Sequence, residues 1–208
     1  MGYLANFYPG VFCMEEIKDT KSELRKTIQT KLNELTDREK AEKIEAIENR
    51  LFEFANFLEA KIVLLYLNNA SGIDTRNILN RAYEYNKIVV LPIFGEERPG
   101  VKLYKVDDVK ADIKSGPGGV TIPDPQRCKR VPIDRVDIAI IPSVALDEKG
   151  GRVGSGRGNY DRLIPKLAIT TRKVSLALED QIVPQVPMES HDKHVDIIIT
   201  EKRTIYKI

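Results

Sequence analysis

Residues 140–163, IIPSVALDEKGGRVGSGRGNYDRL, combine residue types that suit the binding of a polyphosphate. Their glycines permit backbone with positive φ and let peptide N–H groups approach a ligand closely. Arg152 and Arg157 supply planar donors that match phosphate oxygens, and Asp161 offers a ligand for a divalent cation. A flexible hairpin without a ligand has a similar glycine content, so the glycines leave both alternatives open. The flanking charges favour the phosphate site.

Two common phosphate-binding loops do not fit this stretch. A Walker loop requires Gly-Lys followed by Ser or Thr, which does not occur here. A dinucleotide fingerprint requires glycine where Asn159 stands, and it follows its strand at once, whereas about a dozen residues intervene here. The chain also has no Gly-x-Ser-x-Gly nucleophile motif and no activated cysteine pattern, so we do not expect covalent catalysis by the protein.

Length and composition indicate a soluble globular protein. The 208 residues are 42% hydrophobic and 31% charged, which predicts a single domain over residues 14–208. Residues 1–13 lack a basic leader, so we interpret them as an N-terminal extension rather than a signal sequence. The formal charge of +2 favours neither a nucleic-acid nor a membrane partner. The low number of cysteines, Cys13 and Cys128, is typical of a reduced cytoplasmic protein. We also expect the protein to be a monomer.

The elements that must position the glycine-rich stretch follow an α/β pattern. Apolar residues at helical spacing predict a helix over residues 19–33, and the capping box of Thr36 and Glu39 begins a second helix reaching about Phe57. Residues 61–93 read as strand, helix, strand, a βαβ unit that makes the sheet at least partly parallel. Strands are predicted at residues 61–67, 88–93, 137–141, 173–178, 195–200 and 204–207. The sequence therefore predicts a three-layer α/β domain with a mostly parallel sheet.

Residues 92–125 are rich in proline and glycine. Residues 101–106 are predicted to be an edge strand or hairpin arm, and SGPGGVTIPDP at residues 115–125 indicates an irregular loop. A linker between two domains is the alternative, but the flanking pieces are small for separate domains. We therefore expect a loop that lines a pocket.

Charged residues outside the glycine-rich stretch have two interpretations each. Lys21 and Arg25 lie four apart, which by itself favours a solvated basic helix face. Asp192 lies in a polar loop before a strand and is a second candidate ligand for magnesium. His191 and His194 are three apart, but such a pair with no nearby third ligand seldom binds a metal.

Motifs along the chain resemble those of one enzyme family. PSVALDEKGGRVGSGRGNYDR, residues 142–162, strongly resembles the signature of 5-formyltetrahydrofolate cyclo-ligases. The resemblance extends over nearly the whole chain from about Lys18, with several motifs in the family's order. They are KSELR at residues 21–25, GIDT at 72–75, LP at 91–92, GVTIPDP at 119–125 and LALEDQIVPQVPMESHDKHVDIIITE at 176–201.

The resemblance implies an enzyme that uses ATP and Mg²⁺ to convert 5-formyltetrahydrofolate to 5,10-methenyltetrahydrofolate. The products include ADP and phosphate, and the formyl oxygen is phosphorylated on the way. It also implies a Rossmann-like fold similar to the sugar-phosphate isomerase and CoA-transferase group. Such chemistry asks the protein mainly for positioning and charge neutralisation.

The resemblance also assigns roles to residues. Lys21 and Arg152 would act in catalysis, and Asp161 and Asp192 would bind magnesium. The ATP-binding residues would be Lys21, Arg25, Arg152, Val153, Gly154, Ser155, Gly156, Arg157, Gly158, Asn159 and Tyr160. The substrate-binding residues would be Leu67, Gly72, Ser155, Gly156, Arg157, Gly158 and Asn159.

The chain departs from the family pattern on the folate side. Gly72 stands where the family often has glutamate, and Ser155 and Asn159 stand where aromatic residues are common. Two alternatives therefore stay open. One is a related ATP-dependent enzyme acting on another formyl or carboxyl substrate, and the other is a non-catalytic regulator that binds a nucleotide or folate.

Overall fold

The computed structural model describes residues 14–67, 73–95, 100–116 and 120–207. Residues 1–13, predicted to be an extension, and Gly72, predicted to contact the substrate, lie outside the described residues. Within the described ranges, no helix is long and apolar enough to cross a membrane.

The amino-terminal helices confirm one predicted boundary and correct another. Helix α1 spans Met14–Glu34, and α2 spans Asp37–Glu53 after the N-cap Thr36, with both hydrogen bonds of the capping box present. The predicted continuation of α2 to Phe57 is wrong, because Phe54 has an extended backbone and a short α3, Ala55–Glu59, follows. This break lets both Phe54 and Phe57 enter the core, with exposed fractions of 9% and 0%.

The main sheet has eight strands in the order β12-β11-β10-β7-β1-β2-β3-β6. The five strands from β11 to β2 run parallel to their neighbours, whereas β12, β3 and β6 are antiparallel, so the sheet is mixed and mostly parallel. The strands are β1 Ile62–Leu64, β2 Ile88–Phe94, β3 Val101–Lys105, β6 Arg130–Val131, β7 Ile138–Ile140, β10 Arg172–Leu176, β11 Ile197–Ile199 and β12 Thr204–Tyr206.

The predicted βαβ unit is present. Helix α4, Arg76–Glu84, connects β1 to β2, and the two strands pair in parallel with Val63 opposite Val89. Apolar side chains leave the sheet on both faces, because successive residues of a strand point to opposite sides. Val63 packs in one buried cluster with residues of α1 to α4, and Leu64 packs in a second cluster with Leu163.

The segment between β2 and β7 differs from its prediction. Strand β3 is the hairpin partner of β2, as expected, but it is not an edge strand because β6 pairs on its outer side. Residues 115–125 do not form an irregular loop throughout, since β4, Ile113–Ser115, pairs with β5, Thr121–Pro123. Helix α5, Val109–Asp112, and a 3-10 helix, Ile133–Arg135, complete this segment.

The glycine-rich stretch after β7 forms a small two-stranded unit followed by a helix. Strands β8, Ala145–Leu146, and β9, Arg152–Val153, pair antiparallel. Helix α6, Asn159–Leu163, continues into a 3-10 helix, Ile164–Lys166, and another 3-10 helix, Glu179–Gln181, follows β10. The interruption expected at Pro165 therefore occurs as a change of helix type.

Candidate active site

A cavity of about 320 Å³ lies beyond the carboxyl end of β7. Strand β1 pairs with β2 on one side and β7 on the other, so the strand order reverses beside this cavity, where α/β sheets commonly bind ligands. Described residues of α1, of the stretch after β7 and of the loop before β11 line it. They are Lys18, Lys21, Arg25, Pro142, Ser143, Val144, Arg152, Val153, Gly154, Ser155, Gly156, Gly158, Asn159, Tyr160, Asp161, Glu189, His191 and Asp192.

Most of the predicted site residues therefore come together, and two described ones do not. Leu67 packs against the apolar core, and neither Leu67 nor Arg157 is among the residues that line the cavity. The Arg157 side chain is exposed, while its backbone carbonyl accepts a hydrogen bond from Arg162. None of the described residues at 115–125 lines the cavity, and residues 117–119 lie outside the described residues, so the prediction that this loop lines a pocket stays a prediction.

Asp147 organises the turn between β8 and β9. Its Oδ1 accepts hydrogen bonds from the backbone N–H groups of Lys149 at 3.0 Å and Gly151 at 2.9 Å. Its Oδ2 accepts from the N–H of Val186 at 2.8 Å, and Asp147 is only 4% exposed. A side chain at position 151 would collide with this carboxylate, since a Cβ there would lie 2.7 Å from Oδ2. The turn therefore depends on this glycine and on this buried acid.

The loop between β9 and α6 approaches the cavity with backbone atoms. Gly156 has φ of 94° and Gly158 has φ of 62°, both in the left-handed region that favours glycine. Arg162 then fixes the start of α6, because it donates to the Arg157 carbonyl at 3.1 Å and to Asn159 Oδ1 at 2.5 Å. Asn159 is thereby held at the rim of the cavity.

Arg152 is the most buried cation of the cavity. It is 3% exposed and donates to Asp161 Oδ1 at 2.6 Å, while the N–H of Lys193 donates to the same oxygen at 3.1 Å. Burial lowers the pKa of Arg152, and the charges of Asp161 and Asp192 oppose that shift. The guanidinium stays charged nonetheless. Its Nε is buried with no hydrogen-bond partner among the described residues, so this donor can serve a ligand.

Helix α1 contributes the other two predicted cations. The Lys21 Nζ lies 2.8 Å from Glu189 Oε2 and also pairs with Asp192, and its side chain is 8% exposed. The alternative of a solvated helix face is therefore wrong for Lys21. The Arg25 Nε donates to the Gly154 carbonyl at 2.8 Å, which joins α1 to the glycine loop.

Two acids and a histidine of the loop before β11 form a cluster beside Lys21. Ligand atoms of Glu189, His191 and Asp192 all lie within 4.8 Å of one another, and among the described residues Asp161 is not part of this group. Burial opposes ionisation of Asp192, but the N–H of Glu189 and the ammonium of Lys21 together hold its pKa below the ordinary value. Among the described residues, His194 does not belong to this cluster.

Several lining residues carried no distinct sequence signal. Glu189 was not predicted, because it belongs to a loop without periodicity. Its position three residues before Asp192 is the one signal in the sequence that could have indicated it. Ser143 is fixed by a 2.7 Å hydrogen bond with Ser175, whose hydroxyl also donates to the Ile141 carbonyl. Tyr160, by contrast, was among the predicted ATP-binding residues; it packs edge-on against Phe94 with ring centroids 5.3 Å apart, and burial raises its pKa.

Comparisons with known proteins point to one enzyme family. The model of the 5-formyltetrahydrofolate cyclo-ligase family matches residues 17–201. A probable 5-formyltetrahydrofolate cyclo-ligase of Caenorhabditis elegans is 29% identical over 201 residues, covering 92% of this chain and 98% of that protein. The 5-formyltetrahydrofolate cyclo-ligase of Escherichia coli K12 is 25% identical over 179 residues, covering 85% and 97%.

The solved structure of Aquifex aeolicus 5,10-methenyltetrahydrofolate synthetase is also similar. It superimposes with a TM-score of 0.78 at 30% sequence identity, over 90% of this chain and 92% of that one. Sequence and structure thus both match over most of the length, and the range matched by the family model includes all the described residues that line the cavity. The chain belongs to the 5-formyltetrahydrofolate cyclo-ligase family.

Proposed function

We propose that the protein uses ATP to cyclise 5-formyltetrahydrofolate to 5,10-methenyltetrahydrofolate, releasing ADP and phosphate. The observation that carries this proposal is the convergence of Lys21, Arg25 and Arg152 on one cavity beside the glycine loop. The family membership supplies the reaction, and the family implies the use of ATP and a folate substrate. The cavity supplies cations where a polyphosphate needs them.

The chain's own groups suit a reaction that transfers a phosphoryl group without a protein nucleophile. ATP would supply the phosphoryl group that makes the formyl oxygen a leaving group, after which the neighbouring nitrogen closes the ring. Arg152 and Lys21 would stabilise the negative charge of the phosphoryl group during its transfer. Both side chains are buried from water, where a positive charge acts more strongly on a nearby negative one. Arg25 would hold the polyphosphate against the glycine loop, to which it is already bonded.

The backbone of residues 152–160 would wrap the nucleotide. Val153 and Gly154 line the cavity on the β9 side, and Gly158 and Tyr160 line it at the start of α6. A Cβ at position 156 would meet only the Arg25 guanidinium, at 3.7 Å. The lack of a side chain therefore leaves the space beside Arg25 to a ligand.

Magnesium fits the acids of the cavity. Glu189 Oε1 is buried without a hydrogen-bond partner among the described residues, and Asp161 and Asp192 line the same cavity. We propose Asp161 and Asp192 as ligands, and Mg²⁺ would neutralise the terminal phosphates. In the site as described, Asp161 pairs with Arg152 and Asp192 with Lys21. When the phosphates take the two cations, the two carboxylates become available for the metal.

The folate half of the site rests on fewer contacts. Ser155, Gly156, Gly158 and Asn159 line the cavity and are proposed to face the substrate. Ser155 and Asn159 offer polar groups where the family pattern often has aromatic rings, so hydrogen bonds would replace stacking there. Substrate contacts by Leu67, Gly72 and Arg157 stay predictions.

Four broader features are part of the proposal. The fold is proposed to be a three-layer Rossmann-like one, similar to the sugar-phosphate isomerase and CoA-transferase group. We also propose one domain over residues 14–208 preceded by an extension, residues 1–13. A cytoplasmic location and a monomeric state stay predictions, which fractionation of cells and light scattering would check.

The decisive experiment is a turnover assay. The purified chain is mixed with Mg-ATP and 5-formyltetrahydrofolate, and methenyl absorbance and ADP are measured together. Equal rates of both are expected, with loss of both in Arg152→Gln and normal rates in the control Arg172→Gln, whose side chain is exposed on β10. ADP without methenyl product would favour another formyl or carboxyl substrate. Binding of both ligands with no ADP would favour a regulator.

A further inference from the structure

Glu189 occupies a position beside Lys21 that neither the family signature nor the sequence pattern assigns. The Lys21 ammonium lies between two carboxylates, 2.8 Å from Glu189 Oε2 and in contact with Asp192 Oδ2. Three charges in one buried place therefore sum to −1. Such a group is one positive charge short of balance, and it lines the cavity proposed for Mg-ATP.

The second carboxylate oxygen of Glu189, Oε1, has no hydrogen-bond partner among the described residues. This oxygen is buried, and the whole side chain is only 8% exposed. Leaving a buried carboxylate oxygen without a partner is unfavourable, which favours a ligand at that oxygen. A donor or a cation in the cavity would satisfy it.

His191 and Asp192 complete a set of candidate ligand atoms beside the Glu189 carboxylate. The His191 Nε2 lies 3.7 Å from Glu189 Oε2 and 3.7 Å from Asp192 Oδ1. All three residues offer ligand atoms within 4.8 Å of one another. The two carboxylates suit Mg²⁺ or Mn²⁺, and the imidazole adds a nitrogen ligand of the kind that transition ions such as Mn²⁺ accept more readily than Mg²⁺ does.

We propose that Glu189, His191 and Asp192 form a divalent-cation site, and that the cation takes the place of Lys21 between the two carboxylates. Lys21 then turns to the phosphates of the nucleotide. This inference rests on the proposed function and deepens it, because it adds Glu189 and His191 to the acids that hold the metal. It also makes Lys21 and the cation alternative partners of the same acids.

A purely structural role for Glu189 makes a different prediction. If Glu189 only anchors Lys21, its loss would change ATP binding without metal and would leave cation binding as it was. If Glu189 is a ligand, its loss weakens cation binding in the absence of ATP. The two roles therefore differ in a measurement that needs no turnover.

The test measures Mn²⁺ binding to the full chain by electron paramagnetic resonance of free Mn²⁺, without nucleotide and with a non-hydrolysable ATP analogue. The variants are Glu189→Gln and His191→Asn. The matched controls are Glu59→Gln and His194→Asn, exposed residues outside the cluster. His191 is 63% exposed at its side chain, so its variant is expected to fold even if Glu189→Gln does not.

We expect Glu189→Gln to weaken Mn²⁺ binding at least about tenfold, as the loss of groups that support a metal commonly does. His191→Asn should weaken it by a smaller factor, and both controls should match the wild type. Wild-type Mn²⁺ affinity in Glu189→Gln and His191→Asn would overturn the proposal, as would a wild-type chain that binds no Mn²⁺ under either condition. A change confined to metal-free ATP binding would overturn it as well, in favour of the anchoring role.

The turnover assay separates this inference from the proposed function. Product formation by the wild type together with unchanged Mn²⁺ affinity in the variants would contradict the cation site and support the proposed reaction. Absence of product together with weakened Mn²⁺ binding in Glu189→Gln would contradict the proposed reaction and support the cation site.

Discussion

Arg152 and Asp161 are joined by a hydrogen bond of 2.6 Å, so a cation proposed for ATP and an acid proposed for magnesium neutralise each other. Lys21 and Asp192 repeat the relationship in the same cavity. Binding of Mg-ATP as proposed would therefore exchange one set of ion pairs for another. Each of these four side chains would keep a partner of opposite charge, and an unpaired charge in a buried site would oppose binding.

The first prediction concerns the Arg152–Asp161 pair. Asp161→Asn leaves the Arg152 charge buried without a counter-ion, which should lower the free energy of unfolding by about 3 kcal/mol. Turnover that depends on magnesium should be lost as well. Urea unfolding followed by circular dichroism measures the first effect, and methenyl absorbance measures the second.

The double variant Arg152→Gln with Asp161→Asn is the control for stability. It removes both charges, so it should regain much of the unfolding free energy lost in Asp161→Asn while staying inactive. An Asp161→Asn chain with wild-type stability would contradict the reading of a buried pair. Wild-type turnover in that chain would contradict the metal role of Asp161.

The second prediction compares two glycines. Gly150 has φ of 81°, and a Cβ there would lie 2.3 Å from the Val195 carbonyl oxygen. Gly150→Ala should therefore lower the free energy of unfolding by roughly 3 kcal/mol or more. Gly156 has φ of 94° but its Cβ would meet nothing closer than 3.7 Å, so Gly156→Ala should cost only about 1–2 kcal/mol. Chemical unfolding of both variants checks the order, and equal costs would contradict the described packing.

The third prediction concerns Arg25 and the glycine loop. Arg25→Lys keeps the charge but loses the Nε donor that bonds the Gly154 carbonyl at 2.8 Å. A hydrogen bond from a charged group contributes about 1.5–3 kcal/mol, so the KM for ATP should rise about tenfold or more with a smaller change in kcat. Lys26→Arg, an exposed neighbour on α1, is the control and should match the wild type. An unchanged KM for ATP in Arg25→Lys would contradict the proposed role of Arg25 in ATP binding.

The fourth prediction concerns pH and Glu48. Burial raises the pKa of Glu48 above 4.5, although the nearby charge of Arg81 opposes this. The folded chain thus holds the proton more tightly than the unfolded chain. This contribution to stability is complete below the unfolded pKa and is lost as pH rises through the folded pKa.

Glu48→Gln should therefore raise the melting temperature at pH 7 and change it little near pH 4. The exposed Glu53→Gln, on the same helix, removes a charge without this burial and should show no such dependence. Thermal unfolding at the two pH values measures both variants. A Glu48→Gln chain that melts below the wild type at pH 7 would contradict the prediction.

Local signals predicted the parts of the fold that local interactions determine. The capping box of Thr36 and Glu39 needs only residues three apart, and the continuous apolar run at β1 predicted a strand buried on both faces. The break at Phe54 was not predictable in this way, because it serves the burial of Phe57 against distant strands. The edge position of β6 likewise depends on pairing with β3, a contact between separated segments.

The same distinction applies to the candidate site. Order and spacing in the glycine-rich stretch predicted Arg152, Gly154 and Asp161, which do line the cavity. Glu189 was missed because its importance comes from Lys21, 168 positions away in sequence. The burial of Lys21 was also invisible in the helix pattern, since the acids that surround it belong to another loop.

Asp147 has a consequence for how such chains can vary. Its carboxylate holds both the β8–β9 turn through Gly151 and the segment that leads to Glu189 through Val186. An insertion or deletion in either segment would break the register that the other requires. We therefore expect length differences among relatives to fall outside these two segments, so that the two segments evolve as one unit.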